Sequence, residues 1–345
     1  MHRVSTLRVA WIIYGSLDQV SGGYIYDRLV VEQLRALGDT VTVVSLAPNG
    51  GALPTLSTDD FDVVLGDELC FRELEPLFRS APAGLLRVLL IHHLTAWEHP
   101  VGPLRDELLA LEKATIDAAD VCIATSHVTA ARLQHEGLAP NTAVAEPGAD
   151  RFERAASVPN RPTGPLLRLL FVGNILPRKR VLELAQAFVE LASPQAELVL
   201  VGAEREPEYA QRVRAVIART RIAERVHWLG SLDAAGVAEQ LSLADVLILP
   251  SALEGYGMVL SEALWMGVPI IAARVGAAEA LVSRSRAGLL FDPDDARGLF
   301  MVLTCFDAER ELRARLWDAA WHAAEQLPRW RDTALKVRAT LSKAR

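Results

Sequence analysis

The chain has 345 residues, a formal net charge of −7 and 51% hydrophobic residues, which is enough for the cores of two or three domains. No apolar run approaches the roughly 20 residues that a membrane-spanning helix needs, and no basic stripe indicates nucleic-acid binding. The three cysteines have no metal-binding spacing, so we expect buried thiols and a cytoplasmic location.

Segments with strand and helix character alternate along the first half of the chain. The predicted strands are Leu7–Tyr14, Thr40–Ser45, Phe61–Leu65, Arg87–Ile91, Val121–Ala124 and Ala143–Ala145, with helices such as Tyr24–Leu37 and Leu104–Ala118 between them. Alternation of this kind predicts a parallel sheet with helices on both faces.

The alternation stops at Ala155–Pro165, a stretch with three prolines and no periodicity that predicts a linker. It restarts with predicted strands at Leu166–Val172, Glu197–Val201, Val226–Leu229, Val246–Leu249 and Pro269–Ala272, and helices at Val181–Ala192, Pro207–Thr220 and Ala234–Ser242. The sequence therefore predicts an α/β protein of two doubly wound domains facing a cleft, in which ligands bind at the carboxyl ends of the strands. A helical stretch from about residue 308 to residue 345 follows.

The segment Pro250–Ala273 carries the strongest functional signal. Glu254 is followed by a Gly-Tyr-Gly turn and, eight residues later, by Glu262. We expect the second carboxylate to lie about two helical turns below the first, on the first turn of the helix that follows. The glycines let the backbone approach a ligand, and a helix N-terminus attracts an anion. The pattern favours a nucleotide-sugar, with phosphates at the helix start, ribose on Glu262 and the hexose near Glu254.

This segment resembles the E-x7-E motif of the retaining glycosyltransferases of family 4, which have the GT-B fold. Glu254 and Glu262 match the two glutamates, and Gly255, Tyr256 and Gly257 stand where that family usually has Gly-Phe-Gly. The resemblance covers nearly the whole chain. It implies two Rossmann-like domains, at 1–160 for the acceptor and at 165–310 for the donor, and a C-terminal helix at about 320–345 that crosses back to the first domain.

The implied activity is transfer of a sugar from a nucleoside-diphosphate sugar, such as a UDP-sugar or a GDP-sugar, to a hydroxyl group with retention of anomeric configuration. Enzymes of this fold use helix dipoles and cations rather than a metal to stabilise the leaving diphosphate. Asp60-Phe-Asp62 and Asp292-Pro-Asp294 have a spacing that holds a metal in another glycosyltransferase fold, but neither lies near the E-x7-E segment. We therefore expect no metal and no other cofactor.

The stretch that begins FVGNILPRKR at Phe171 resembles the strand and phosphate loop that open the donor domain. The family usually has an arginine after the glycine, whereas here Gly173 is followed by Asn174. Lys179 stands at the position of the family's lysine, and the flanking Arg178 and Arg180 are the candidates to supply the missing charge. A departing diphosphate needs such cations.

The resemblance also assigns roles to backbone groups and to the first domain. The amides of Tyr256 and Gly257 would hold sugar hydroxyls together with Glu254, and those of Met258, Val259 and Leu260 would stabilise the diphosphate.

In the first domain, Gly22 and Gly23 resemble the glycine-rich loop that lies against the donor phosphates, although they do not form a GxGxxG fingerprint. His92 and His93 end the fourth strand, and the resemblance implies that one histidine there meets the donor sugar. We assign this role to His92. A shift of one residue in the register of the strand would turn its side chain to the opposite face of the sheet.

Three alternatives stay open. Another GT-B enzyme, such as a sugar-nucleotide epimerase or a phosphorylase, would share the architecture. A sugar-nucleotide-binding protein with a decayed site is favoured only by Asn174, and an oxidoreductase lacks the dinucleotide fingerprint.

Residues 1–160 hold 12 Lys and Arg against 21 Asp and Glu, with Lys113 the single lysine. This charge favours a soluble small-molecule or glycan acceptor rather than a lipid-linked one.

Overall fold

A computed structural model describes residues 6–47, 54–155, 166–218, 220 and 222–343 of the chain. The chain divides into two compact units, one of residues 1–148 with 328–345 and one of residues 149–327. Apart from Ala155, the expected linker at Ala155–Pro165 lies outside the described residues. No helix in the described ranges is long and apolar enough to cross a membrane.

The first unit is a parallel sheet covered by helices. In chain order its elements are β1 (Arg8–Tyr14), α1 (Gly22–Ala36), β2 (Thr40–Leu46), β3 (Val63–Asp67), α2 (Phe71–Ser80), β4 (Leu86–Ile91), α3 (Pro103–Ala118), β5 (Val121–Ala124), α4 (His127–His135) and β6 (Ala143–Val144). The strand order is β2-β1-β3-β4-β5-β6. Residues 9–13 of β1 are fully buried, because both faces of a parallel sheet are covered.

The second unit repeats this architecture. Its elements are β7 (Leu167–Val172), α5 (Val181–Leu191), β8 (Ala196–Val201), α6 (Pro207–Ala218), β9 (Val226–Gly230), α7 (Ala234–Leu243), β10 (Val246–Leu249), α8 (Met258–Trp265), β11 (Ile270–Ala273), α9 (Ala278–Ser285), β12 (Gly288–Phe291), α10 (Gly298–Ala308) and α11 (Arg310–Ala323). The strand order is β12-β11-β10-β7-β8-β9. The described strand pairings of both sheets are parallel, as the alternation predicted.

Each sheet has a point at which the order of its strands reverses, between β1 and β3 in the first unit and between β7 and β10 in the second. Loops that leave neighbouring strands in opposite directions open a crevice there, and this is where open α/β sheets bind ligands. The candidate residues of the second unit follow β7 and β10. Those of the first unit follow β1 and β4.

The C-terminal helix α12 (Trp330–Lys343) belongs to the first unit, so the prediction that it returns there is confirmed. Trp330 packs edge-to-face on Tyr26 at 5.6 Å, and Arg338 lies 2.6 Å from the buried Asp39. The helical stretch predicted from residue 308 onward is not continuous, however. It contains α11 in the second unit and α12 in the first, because Pro328 interrupts it.

Candidate functional site

Two loops of the second unit meet at its switch point. The first leaves β7 at Gly173, whose amide donates to the carbonyl of Val201 at 2.9 Å. A Cβ at Gly202 would lie 1.9 Å from the carbonyl oxygen of Gly173, so only glycine at residue 202 permits this close packing. The backbone of Asn174 lies against the same glycine. The packing fixes the path of the chain into a short turn at Pro177–Lys179, which presents Lys179.

Lys179 and Glu254 form a buried ion pair across these two loops. The Nζ atom of Lys179 lies 2.5 Å from Oε1 of Glu254, and the side chains are 15% and 9% exposed. The amide of Ala252 donates to the carbonyl of Arg178 at 2.7 Å, which ties the loop after β10 to the loop after β7. Burial alone would raise the pKa of Glu254, but Lys179 and Arg178 outweigh it and hold that pKa below its ordinary value. The site therefore presents an ionised carboxylate beside an ammonium group.

The two arginines that flank Lys179 have different surroundings. Arg178 is close enough to Glu254 to lower the pKa of that carboxyl. Arg180 adopts a left-handed backbone at the start of α5, and its guanidinium donates to the carbonyl of Pro293. Arg178 is therefore the better placed of the two to add charge beside Lys179.

The helix α8 begins directly after the second loop. Gly257 caps it with a φ of +87°, a conformation that glycine adopts without strain, and the first turn contains no acidic residue. The amide of Leu260 donates to the carbonyl of Gly257 at 2.9 Å. By helix geometry the amides of Met258 and Val259 have no acceptor within the helix, so they are free to meet an anion.

The two glutamates of the motif are not stacked on one helix, so this expectation was wrong. Glu254 lies in the loop, four residues before α8 begins, and Glu262 is the fifth residue of the helix, in its second turn rather than its first. The turn at Gly255–Gly257 separates them because glycine in a left-handed conformation does not continue a helix.

Glu262 has a partner that the sequence did not indicate. Its side chain is buried, and Oε1 lies 3.1 Å from Nη1 of Arg151. Burial raises the pKa of Glu262, and the guanidinium offsets this only in part. A buried carboxylate on an apolar helix was a signal that a cation must lie nearby. No pattern around Arg151, which stacks on Phe152 at 4.8 Å, identified it as that cation.

Gly22 and Gly23 form the first turn of α1 rather than a loop, and His92 rather than His93 faces them. A Cβ at Gly23 would lie 3.3 Å from Cδ2 of His92, whereas Gly22 has open space around it. His93 turns away and pairs with Glu98 at 2.7 Å. The amides of both histidines donate to the buried carboxylate of Glu68, which fixes the turn after β4.

Two buried carboxyls that sequence reasoning did not single out face the ring of His92. Nε2 of His92 lies 3.5 Å from Oδ1 of Asp27 and 4.0 Å from Oδ2 of Asp67. Burial raises the pKa of each of these carboxyls to about 7 and lowers the pKa of the imidazole. The indole of Trp11 lies beside Asp27 and partly opposes the rise in its pKa.

The two Asp-x-Asp triplets have structural roles. Asp62 is held by Arg8 at 3.0 Å, and Asp292 accepts a hydrogen bond from the amide of Asp294 in an exposed turn. Neither contact indicates a diphosphate-bound metal.

Solved structures with the same pair of sheets define the class of fold. Sucrose-phosphate synthase from Thermosynechococcus elongatus matches 97% of this chain and 98% of its own, with a TM-score of 0.81 and 21% identity. Anabaena HepE in complex with UDP-glucose matches 98% of this chain and 100% of its own, with a TM-score of 0.77 and 19% identity. The chain has the GT-B fold of these glycosyltransferases, as the sequence resemblance implied.

The family-model match lies within the second unit. Residues 167–304 match the family model described as "Glycosyl transferases group 1". N-acetyl-alpha-D-glucosaminyl L-malate synthase of Bacillus anthracis is 34% identical over 132 residues, which are 38% of this chain and 33% of that protein. D-inositol 3-phosphate glycosyltransferase 2 of Catenulispora acidiphila is 32% identical over 242 residues, 60% of this chain and 55% of that protein. The chain thus spans between a third and somewhat over half of the length of these relatives.

Proposed function

We propose that the protein is a retaining glycosyltransferase of family 4 that transfers a sugar from a nucleoside-diphosphate sugar to a hydroxyl acceptor. The observation that carries this proposal is the buried pair of Lys179 and Glu254 at the switch point of the second unit, beside the open N-terminus of α8. The match of residues 167–304 to group 1 glycosyltransferases supports it.

In the proposed reaction the second unit binds the donor. Glu254, with the amides of Gly255, Tyr256 and Gly257, accepts and donates hydrogen bonds to hydroxyls of the transferred sugar. Lys179 and Arg178 lie against the diphosphate, and the amides of Met258 and Val259 with the helix dipole add partial positive charge. The amide of Leu260 already has an acceptor, so its part is the smaller one.

The chemical step exchanges one bond for another on the same face of the sugar. The bond between the anomeric carbon and the phosphate oxygen breaks as the bond to the acceptor oxygen forms, through an oxocarbenium-like transition state. The proton of the acceptor passes to the departing phosphate oxygen. We assign no nucleophile and no metal to this step, since cations and helix amides of the chain supply the charge that the leaving diphosphate needs.

Glu262 and the first-unit residues belong to the proposal through the family resemblance. Glu262 would hold the ribose hydroxyls, and to do so it would share its carboxylate with Arg151. His92 would meet the transferred sugar, with Gly22 and Gly23 at the phosphates, and Gly173 and Asn174 would line the donor side. The complex of HepE with UDP-glucose supports UDP-sugars as the first donors to test.

The acceptor is proposed to be a soluble small molecule or glycan. Residues 1–160 hold 21 Asp and Glu against 12 Lys and Arg, which opposes docking on an anionic lipid surface. A cytoplasmic location agrees with the three free cysteines.

The test is a calorimetric and thermal-shift panel of UDP-, GDP-, ADP- and TDP-sugars, because a ligand that binds only the native state raises its stability by mass action. The donor that binds is then incubated with candidate acceptors, and the anomer of the product is read by proton NMR. We expect free nucleoside diphosphate and a product with the donor's configuration. Formation of an epimerised donor without free nucleoside diphosphate, or binding of none of the donors, would refute the proposal.

A further inference from the structure

Three atoms of the type that binds metals converge in the interior of the first unit. They come from different elements: Asp27 from α1, Asp67 from the end of β3, and His92 from the residue after β4. Nε2 of His92 lies 3.5 and 4.0 Å from the carboxylate oxygens, and all three atoms lie within 4.8 Å of one another. Ligands bonded to one tetrahedral cation at about 2.1 Å are about 3.4 Å apart, so movements of at most about 0.7 Å for each side chain close the site.

These atoms are deeply buried and have no hydrogen-bond partner in the part of the chain that the structure describes. Asp27 and Asp67 are 0% and 1% exposed. Both carboxylate oxygens of Asp27, Oδ2 of Asp67 and Nε2 of His92 are unpartnered. The other oxygen of Asp67 accepts a hydrogen bond from the amide of Leu69 at 2.9 Å. Buried polar atoms almost always have partners, so four unpartnered atoms aimed at one point indicate a bound ligand.

The charges around the cluster favour a cation. The carboxylate of Glu68, the residue after Asp67, is also buried, and it accepts hydrogen bonds from the amides of His92 and His93. Within the described residues no Lys or Arg forms an ion pair with Asp27 or Asp67. Two carboxylates in the interior without a compensating positive charge are strongly destabilising.

We propose that Asp27, Asp67 and His92 bind one divalent transition-metal cation, of the Zn²⁺ or Mn²⁺ class. Two carboxylates neutralise a divalent charge, and an imidazole ligand suits these ions, whereas Mg²⁺ and Ca²⁺ take oxygen ligands. The indole N–H of Trp11 lies beside Asp27 and also has no hydrogen-bond partner among the described residues, so it is placed to donate to a ligating carboxylate.

The cation has a structural consequence. It joins α1, which begins with Gly22 and Gly23, to the carboxyl ends of β3 and β4, the second of which is followed by His92. Coordination through Nε2 leaves Nδ1 as the only ring nitrogen of His92 that can meet another ligand. The site differs from the proposed diphosphate site, and it departs from the expectation of a protein without metal, which rested on the Asp-x-Asp triplets and on the use of helix dipoles and cations by enzymes of this fold.

The test is the metal content of the purified full-length protein. After removal of metal by a chelator, the protein is dialysed against Mn²⁺ and, separately, against Zn²⁺, and the bound metal is counted by mass spectrometry. Asp27→Asn and Asp67→Asn are compared with Asp294→Asn, which changes an exposed aspartate. We expect about one equivalent in the wild type and in Asp294→Asn, and less than about a tenth of that in the two site variants.

The melting temperature provides a second measurement. Metal at about 100 times its Kd is expected to raise the Tm of the wild type by about 5 °C or more, and to leave both site variants unchanged. Asparagine keeps the shape and removes a buried charge, so the variants are expected to fold, which far-UV circular dichroism in chelator verifies. A wild type that binds less than about a tenth of an equivalent of either ion overturns the proposal, since the two carboxyls then share protons instead. Equal binding by wild type and both variants overturns it as well.

Discussion

At the scale of single residues, the pair of Lys179 and Glu254 has two roles. Without a ligand each side chain neutralises the other in a buried place, at 2.5 Å. With a donor bound, the same two groups are proposed to meet the diphosphate and the sugar. The pair therefore keeps two charges in the site at all times, and its contribution to stability and its contribution to catalysis have to be separated by experiment.

Lys179→Met, Glu254→Gln and the double variant separate them. Each single substitution is expected to lower the free energy of unfolding by about 3–5 kcal/mol, because it leaves the partner charge buried and uncompensated. The double variant is expected to regain most of this loss in urea denaturation, while kcat stays at least about a hundredfold down in all three. The exposed pair of Arg79 and Glu75 is the control, since its loss should cost less than about 1 kcal/mol. A double variant with wild-type turnover would contradict the assignment.

Glu254 and Glu262 are expected to affect stability with opposite dependence on pH. The pKa of Glu254 is lowered below its ordinary 4.5 on folding, so its contribution to stability is present above that pH and is lost as the pH falls. The pKa of Glu262 is raised above 4.5, so its contribution is present below that pH and is lost as the pH rises through the folded value.

Urea denaturation of the wild type, Glu254→Gln and Glu262→Gln between about pH 3 and pH 7 measures both contributions. The stability advantage of the wild type over Glu254→Gln should shrink on acidification, and its advantage over Glu262→Gln should grow. Parallel curves for the two variants would show that one pKa direction is wrong.

How far the site could be predicted from the sequence depends on how local each contact is. Glu254 and Lys179 follow predicted strands in recognisable loops, so sequence placed them at one edge of a sheet. Arg151 pairs with Glu262 across 111 residues, and no spacing rule connects them. Asp27 and Asp67 likewise meet only because the strand order of the first sheet brings α1 and β3 together.

At the scale of elements, the strands predicted from the sequence are all present, with ends shifted by at most two residues. The apolar runs of β3, β10 and β11 are buried along their whole length, and burial of that kind leaves a clear pattern. The short strand Gly288–Phe291 was not predicted. Pro328 was the available signal for the break before α12, since the residue before a proline disfavours a helix.

Gly257 connects the second loop to α8, and Gly257→Ala tests this connection. The left-handed φ of +87° is expected to cost about 1–2 kcal/mol with a side chain, and the added Cβ would lie 3.2 Å from Leu260. We expect the first turn of α8 to shift and the affinity for the donor nucleotide to fall about tenfold or more in calorimetry.

Gly137→Ala is the matched control, because Gly137 has a φ of +69° with no atom within 4 Å of the added Cβ. Gly137→Ala should lower the free energy of unfolding by about as much as Gly257→Ala does, and it should leave the affinity for the nucleotide unchanged. Equal affinity for the two variants would argue against an anion site at the start of α8.

At the scale of the whole molecule, the two units differ in how the chain builds them. The second unit is a continuous segment, residues 149–327, whereas the first needs residues 328–345 from the far end of the chain. α12 contributes Trp330 against Tyr26, a hydrogen bond from Thr333 to the carbonyl of Glu146, and the ion pair of Arg338 with Asp39. The first unit therefore completes its core only after the second has been synthesised.

This difference predicts how fragments behave. Residues 149–327 should unfold cooperatively on their own and bind the donor nucleotide, because Lys179, Glu262, the start of α8 and the sheet that carries them are all inside the fragment. Residues 1–148 alone should not unfold cooperatively, since they leave the face of Tyr26 uncovered. They also leave Asp39, whose side chain is 0% exposed, without Arg338.

Gly148 lies against the backbone of Trp330, so residues 328–345 fused after Gly148 through a short glycine-serine linker should restore cooperative unfolding. Arg338→Ala in that fusion is expected to remove about 3 kcal/mol or more, because it leaves a buried aspartate uncompensated. Circular dichroism in urea follows unfolding, and calorimetry follows nucleotide binding. A folded fragment 149–327 that binds no nucleotide would place the donor site elsewhere, and cooperative unfolding of 1–148 alone would show that α12 is dispensable.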